Sequence, residues 1–305
     1  MSIWSGRLGA QPRQRRRARR GDLAPLDVRD HVNRALAAEL GLSAAHRDHL
    51  LDVRGLPPQA LDCFATLPEL GGAERRALAA AVIRRVGRTP AGVPGFWRDG
   101  KSWVVVPLPT GFLVPVPDGR GRVLGFQLRL DAPAPGQPRY VQLSSANWAH
   151  GTSSGVPASV WRPDQRDAGS TIVEGHLKAA IGAYHLPACT IGVAGVANWR
   201  PALEVLRGAP AGYPVTIAYD APDFVEVREV WDARERLALA LHGAGYAVRV
   251  ATWDGARAKG IDDALLAGLD IDVALWAPSL GPLRRPASRT LPSIERPSAI
   301  ELVAS

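Results

Sequence analysis

Between positions 170 and 270 the chain alternates two hydrophobic rhythms. Short β-branched runs give way to stretches with apolar residues three and four apart, and the sequence then repeats the change. The pattern predicts strands over 171–173, 190–193, 215–219 and 247–252, and helices over 176–184, 199–206, 225–242 and 261–266. The third helix has Gly243 and Gly245 as its stop. Strand and helix in turn imply right-handed βαβ units and a parallel sheet covered on both faces.

Upstream the rhythm differs. Val32, Leu36 and Leu40, then Leu42, Leu50 and Leu51, fit two short helices broken at Gly41, with Ser43 as the cap of the second. Pro58 opens another short helix toward Leu61 and Phe64. Over 73–86, Leu78, Ala81, Val82 and Val86 form the apolar face of an amphipathic helix. From Val93 the runs over 103–108, 111–117, 122–130 and 139–143 are β-rich and divided by Gly, Pro and Asp. The second and third, joined by Asp118-Gly119-Arg120-Gly121, form a hairpin within a small antiparallel sheet. The expected organisation is an unstructured basic arm over 1–28, a helical lead-in over 29–92, a β-rich subdomain over 93–168, an α/β domain over 169–276 and an unstructured Pro/Arg-rich tail over 277–305.

Composition narrows the classes. No run approaches the roughly eighteen apolar residues of a membrane span, and the N-terminus shows no apolar stretch of a secretory signal, so a cytoplasmic protein is expected. Cys63 and Cys189, the only cysteines, stand too far apart for a disulfide framework or a CxxC zinc ribbon. The formal net charge of +8 favours an anionic partner. Part of that excess is a block at Arg13, Arg15, Arg16, Arg17, Arg19 and Arg20, and Arg284, Arg285, Arg289 and Arg296 stud the tail. Such blocks contact nucleic-acid phosphates, or else reflect a compositional bias toward arginine. The tryptophans offer stacking surfaces for single-stranded bases or, as scattered residues, half-buried packing.

Candidate chemistry gathers where predicted strands end. Glu174-Gly175 closes the first strand of the α/β region, Asp220-Ala221-Pro222-Asp223 follows the third, and Lys259-Gly260-Ile261-Asp262-Asp263 comes after the fourth. Ligands of open α/β sheets bind at that edge. Carboxylates held together there repel unless protonated or bridged by a cation, and hard oxygen donors select Mg²⁺ or Mn²⁺. A metal-dependent phosphotransfer site follows, with Asp220 as a ligand and Asp223 as a second ligand directly or through water. Glu174 acts as a ligand or as general acid/base, and Lys178 and Lys259 meet phosphate as point charges. Each acid also has a plain structural reading as the cap of the next helix, Asp262 above all. His176 is placed to join the site or to be incidental to it. Over 144–155 the Ser/Gly-rich segment is either a surface loop or a source of hydroxyls for an anion.

Glu174-Gly175 after an apolar strand, followed by a strand ending at Asp220, is similar to the TOPRIM fold shared by bacterial-type primases, topoisomerases and some nucleases. Four pieces resemble more closely an uncharacterised TOPRIM-like family of phage and plasmid replication proteins. They are Phe112-Leu113-Val114-Pro115-Val116 with its Asp-Gly turn, Ser144-Ser145, Val173 to Ala179, and Trp253-Asp254 with the Lys259 to Asp263 string. The likeness runs from about Leu42 to Gly268. It implies a TOPRIM-like parallel sheet with flanking helices and a primase-like nucleotidyltransferase core. In that core Glu174 assists transfer, with Lys178 beside it, and Asp220, Asp223, Asp262 and Asp263 hold Mg²⁺ with Glu174. Lys259 contacts the nucleotide. The partners implied are single-stranded DNA, nucleotides and a separate replicative helicase, with no membrane. The usual Asp-x-Asp of such cores is altered here, since Pro222 takes the second acid's place and Asp223 follows it. A nuclease and a catalytically silent nucleic-acid-binding module remain open alternatives.

Overall fold

The computed structural model describes residues 22–220 and 228–280. The arginine block, Pro222, Asp223 and the tail arginines lie outside the described residues. The helical lead-in comprises α1 (Leu26–Leu40), α2 (Ala44–Asp48) running into a π-helical turn at His49–Val53, a 3-10 turn at Pro58–Leu61, β1 (Ala65–Leu67) and α3 (Gly72–Val86). Helix α1 starts three residues before the predicted boundary because Pro25 sits at its N-cap and Ala24 bonds the Gly92 carbonyl at 2.8 Å. It ends at Gly41, whose φ of 67° takes the left-handed region that a side chain would disfavour. Ser43 caps α2 as expected, its hydroxyl accepting from the His46 N–H at 3.3 Å.

The β-rich part holds β2 (Phe96–Asp99), β3 (Ser102–Val105), β4 (Gly111–Pro117), β5 (Val123–Leu130) and β6 (Tyr140–Gln142). The predicted hairpin is β4 and β5, antiparallel. The single small sheet of the sequence reading is instead two. β2 and β3 pair only with each other, while β1, a strand the pattern did not show, joins the larger sheet in the order β1-β4-β5-β6. Helices α1 and α3 pack on these strands around Val32, Leu36, Val82, Leu113, Phe126 and Leu128.

The remaining elements are β7 (Ser159–Trp161), β8 (Ser170–Glu174), α4 (His176–His185), β9 (Cys189–Val193), α5 (Arg200–Leu206), β10 (Pro214–Ala218), α6 (Arg228–Gly243), β11 (Ala247–Thr252), α7 (Ile261–Leu266) and β12 (Asp272–Leu275). They build a six-stranded sheet in the order β12-β11-β10-β8-β9-β7. Its four inner strands are parallel, as predicted, and both edges are antiparallel additions that the sequence reading lacked. One face carries α5 and α6 over Ile172, Ile217, Tyr219 and Val250. On the other, Val173, Ala218 and Ala251 meet Ala179 of α4 and Ile261 of α7. The opposite side of α4, at Leu177, Ala180 and Ile181, packs on Leu50, Phe64, Phe112 and Val114. Helix α4 is thus clamped between the mixed sheet and the antiparallel unit, which fixes the first turn that carries Lys178. Among the described residues no helix is long and apolar enough to cross a membrane.

Candidate active site

Adjacent parallel strands bring the two leading carboxylates to one edge. Register pairs Val173 of β8 with Ala218 of β10, so Glu174 and Asp220 stand at neighbouring strand ends. Gly175, with φ 105°, turns the chain from β8 into α4, and its N–H bonds the Val193 carbonyl at 2.7 Å. That turn sends Lys178 across to Asp220, and its ammonium donates to the Asp220 carboxylate. Lys259 approaches the other oxygen at 4.0 Å.

These charges set one another's protonation. Burial pushes the Glu174 carboxyl above the usual glutamate range and Asp220 adds repulsion, while Lys178 and Lys259 pull the other way. Burial also pulls the Lys178 ammonium down, but Asp220, Asp262 and Glu174 outweigh it and leave the group above the ordinary lysine value. The arrangement is two acids on a shared edge with an ammonium between elements as counterion.

Asp262 and Asp263 are placed differently from ligands facing an open basin. Asp262 is buried, takes a 3.4 Å contact from Arg54 and sits beside Lys178, with Oδ1 lacking a hydrogen-bond partner. A Cβ on Gly260 would fall 2.4 Å from that oxygen and 2.9 Å from the Lys178 Nζ, so glycine is what allows the two side chains to converge. Burial raises the Asp262 pKa, with Lys178 and Arg54 opposing. Asp263 is half exposed and pairs with Arg54 at 3.3 Å. The structure therefore joins Glu174, Lys178, Asp220, Lys259 and Asp262 in one electrostatic cluster, with Asp263 tied to its rim. Among the described residues no group of three or more His, Cys, Asp or Glu side chains forms a ready metal cage. The donor set still suits Mg²⁺, which takes one or two carboxylates and keeps waters and substrate oxygens for the rest. The geometry in favour is the placement of two carboxylates at neighbouring parallel strand ends, with Asp220 buried, because like charges held together there are what a cation relieves.

Arg54 was missed by sequence reasoning. It lies 208 residues from Asp262 and no spacing rule connects them. Other candidates fall away from the site. His176 is fully buried, its Nδ1 paired with the Ser159 hydroxyl at 3.0 Å, and burial pushes its pKa down to about 4. The 144–155 segment is no open loop, since Ser145, Thr152 and Ser154 are buried and the Thr152 N–H bonds the Ser145 hydroxyl at 2.9 Å. Trp97, Trp199 and Trp276 are buried and Trp97 stacks on Trp148 at 4.6 Å, which is packing and not a base platform.

Gly192 controls how closely α4 meets the sheet. A Cβ there would lie 2.6 Å from the Ser159 hydroxyl, 2.8 Å from the Ala179 Cβ and 2.9 Å from the Gly175 carbonyl. Gly192→Ala is expected to destabilise the protein by about 1–3 kcal/mol through overpacking. Urea unfolding measures this, and a change within error would show that the turn into α4 yields freely.

A family described as Domain of unknown function (DUF3854) matches residues 161–270. No curated protein matches the sequence. Among solved structures, the zinc-binding and RNA polymerase domains of the Aquifex aeolicus primase align with a TM-score of 0.58 at 16% identity, over 81% of this chain and 62% of that chain. The RNA polymerase domain of Mycobacterium tuberculosis primase DnaG, in complex with a double-stranded DNA oligomer bearing a 6-nucleotide overhang, gives a TM-score of 0.55 at 17% identity. It covers 80% of this chain and 77% of that chain. A DnaG primase catalytic domain bound to single-stranded DNA gives 0.51 at 17% identity, over 81% and 78%. The chain has the fold of primase catalytic cores, and at these identities the likeness is one of fold alone.

Proposed function

We propose that the protein is a primase-like TOPRIM enzyme that transfers nucleotidyl groups on single-stranded DNA with Mg²⁺ or Mn²⁺, in the replication of a phage or plasmid. The observation that carries the reading is the meeting of Glu174, Asp220 and Lys178 at one sheet edge of a primase-core fold. Glu174 and Asp220 would hold the ion, and when bound it supplies charge neutralisation for phosphoryl transfer and acidifies an attacking hydroxyl. Lys178 holds Asp220 in place between turnovers, and Lys259 stands ready to meet a phosphate as a point charge. In the alternative role, free of the ion, Glu174 accepts the proton of the attacking hydroxyl, burial and the neighbouring Asp220 favouring its protonated form. Asp262 and Arg54 brace Lys178 and the start of α7 against the lead-in. A separate replicative helicase completes the assembly this reading implies.

The test is primer synthesis on single-stranded DNA with labelled nucleotides, with and without Mg²⁺. Template-directed, Mg²⁺-dependent incorporation supports the reading, and DNA cleavage without nucleotides would assign a nuclease instead. A second reading has its own observation. Lys178 already neutralises Asp220, as it would in a module that binds nucleic acid without catalysis. Salt-sensitive DNA binding with no incorporation under any metal would favour it.

A further inference from the structure

The six-stranded sheet ends in two edges of different character. β7 lies against β4 and α4, and its Ser159 and Val160 are buried. β12 has β11 as its single neighbour among the described residues and is exposed at all four positions. Val273 and Leu275 are 52% and 68% exposed. Register sets them opposite Ala251 and Arg249, on the face that meets α4 and α7. Arg249 is exposed as well, so neither helix covers this corner of the sheet.

The outer side of an edge strand offers backbone N–H and C=O groups, and it recruits another strand unless proline, a charged side chain, a bulge or a covering element prevents it. Asp272-Val273-Ala274-Leu275 has a charge at its first position alone, no proline and an unbroken register with β11. Among the described residues nothing covers it. The edge is open.

The chain supplies an occupant from the same corner. It leaves β12 through Trp276, whose N–H bonds the Val248 carbonyl at 2.9 Å, and Leu280 a few residues on is 68% exposed. From there to position 297 the sequence is interrupted by Pro282, Pro286, Pro292 and Pro297, which a strand interior does not admit. Residues 298–305 contain neither proline nor arginine, and Ile300 and Leu302 flank Glu301 with the two-residue period of a strand.

We propose that residues 299–304 add to β12 as a seventh strand of the sheet, with Ile300 and Leu302 laid beside Val273 and Leu275. The intervening residues 281–298 reach roughly 55 Å when extended at about 3.1 Å each, several times the roughly 13 Å length of β12. Tethering holds the segment at an effective concentration on the order of millimolar. A second copy of the chain lacks that help, and an edge of four residues is small against the roughly 20–30 residues per side of a stable interface. The pairing is therefore within one chain, and it does not depend on the primase-like reading.

Amide hydrogen exchange of the full chain, recorded at several protein concentrations, tests this. It is compared with a chain shortened to end at Pro297 and with a full-length chain carrying Ile300→Asp and Leu302→Asp together, which keeps the tether. Both variants are expected to exchange at least about tenfold faster over 272–275 at every concentration, while the amides of β8 and β10 hold their rates and report an intact fold. A synthetic peptide of residues 297–305, added at millimolar concentration to the shortened chain, is expected to restore the protection. Exchange over 272–275 that is the same in the full chain and in either variant would overturn the proposal. Protection that grows with protein concentration would overturn it too, and would assign the edge to a second copy.

Discussion

On the primase-like reading, Glu174→Gln and Asp220→Asn are each expected to lower Mg²⁺-dependent primer synthesis by about 100- to 10,000-fold, the range that loss of an acid/base or charge-stabilising group produces. The fold survives both changes, because each replacement keeps shape and removes only charge at a strand end. Glu174→Gln has a further signature in EDTA. The folded-state pKa of Glu174 lies above its ordinary value, so its carboxyl favours the native state when protonated, and that contribution fades as pH rises through the folded pKa. The Gln variant therefore melts higher than wild type at pH 8, and the gap closes as pH falls into the acid range. Circular-dichroism melts across that window read it directly. A variant that melts lower than wild type at pH 8 would mean that the ionised carboxylate is a structural partner and not a strained functional group.

Lys178→Met carries the second large effect. The ammonium pairs with Asp220, with side-chain exposures of 24% and 11%, and also offsets Glu174 and Asp262. Breaking a fully buried pair costs about 3–5 kcal/mol. Partial solvent screening brings the expected loss here to about 2 kcal/mol. The account adds a condition: the stranded carboxylates accept a divalent ion in place of the ammonium, so Mg²⁺ restores more stability to Lys178→Met than it adds to wild type. Thermal melts with graded Mg²⁺ measure both parts. A loss that Mg²⁺ leaves untouched would separate Lys178 from any metal-binding role.

Much of the architecture was legible because the inner strands are long apolar runs joined by helices of regular period. The run from Ala247 to Thr252 and the helix from Ile261 to Leu266 were bounded to the residue. The edge strands were not. β7 is three residues flanked by Pro157 and Pro163, and β12 is four residues exposed throughout, so neither carries an alternation to detect. Tertiary pairing alone makes them strands. The site followed the same division. Glu174 and Asp220 were visible as acids ending predicted strands, and parallel pairing placed them together. The role of Asp262 was not visible, since its partner Arg54 belongs to the lead-in and the approach of Lys178 depends on the missing side chain of Gly260.

Whether Glu174 and Asp220 hold one divalent ion between them is best decided by titrating Mn²⁺ into the protein and counting free ion by electron paramagnetic resonance. The account predicts that wild type removes Mn²⁺ from solution, that Mg²⁺ displaces it, and that both Glu174→Gln and Asp220→Asn lose the binding. Mn²⁺ left free by wild type, or bound equally by all three proteins, would contradict it.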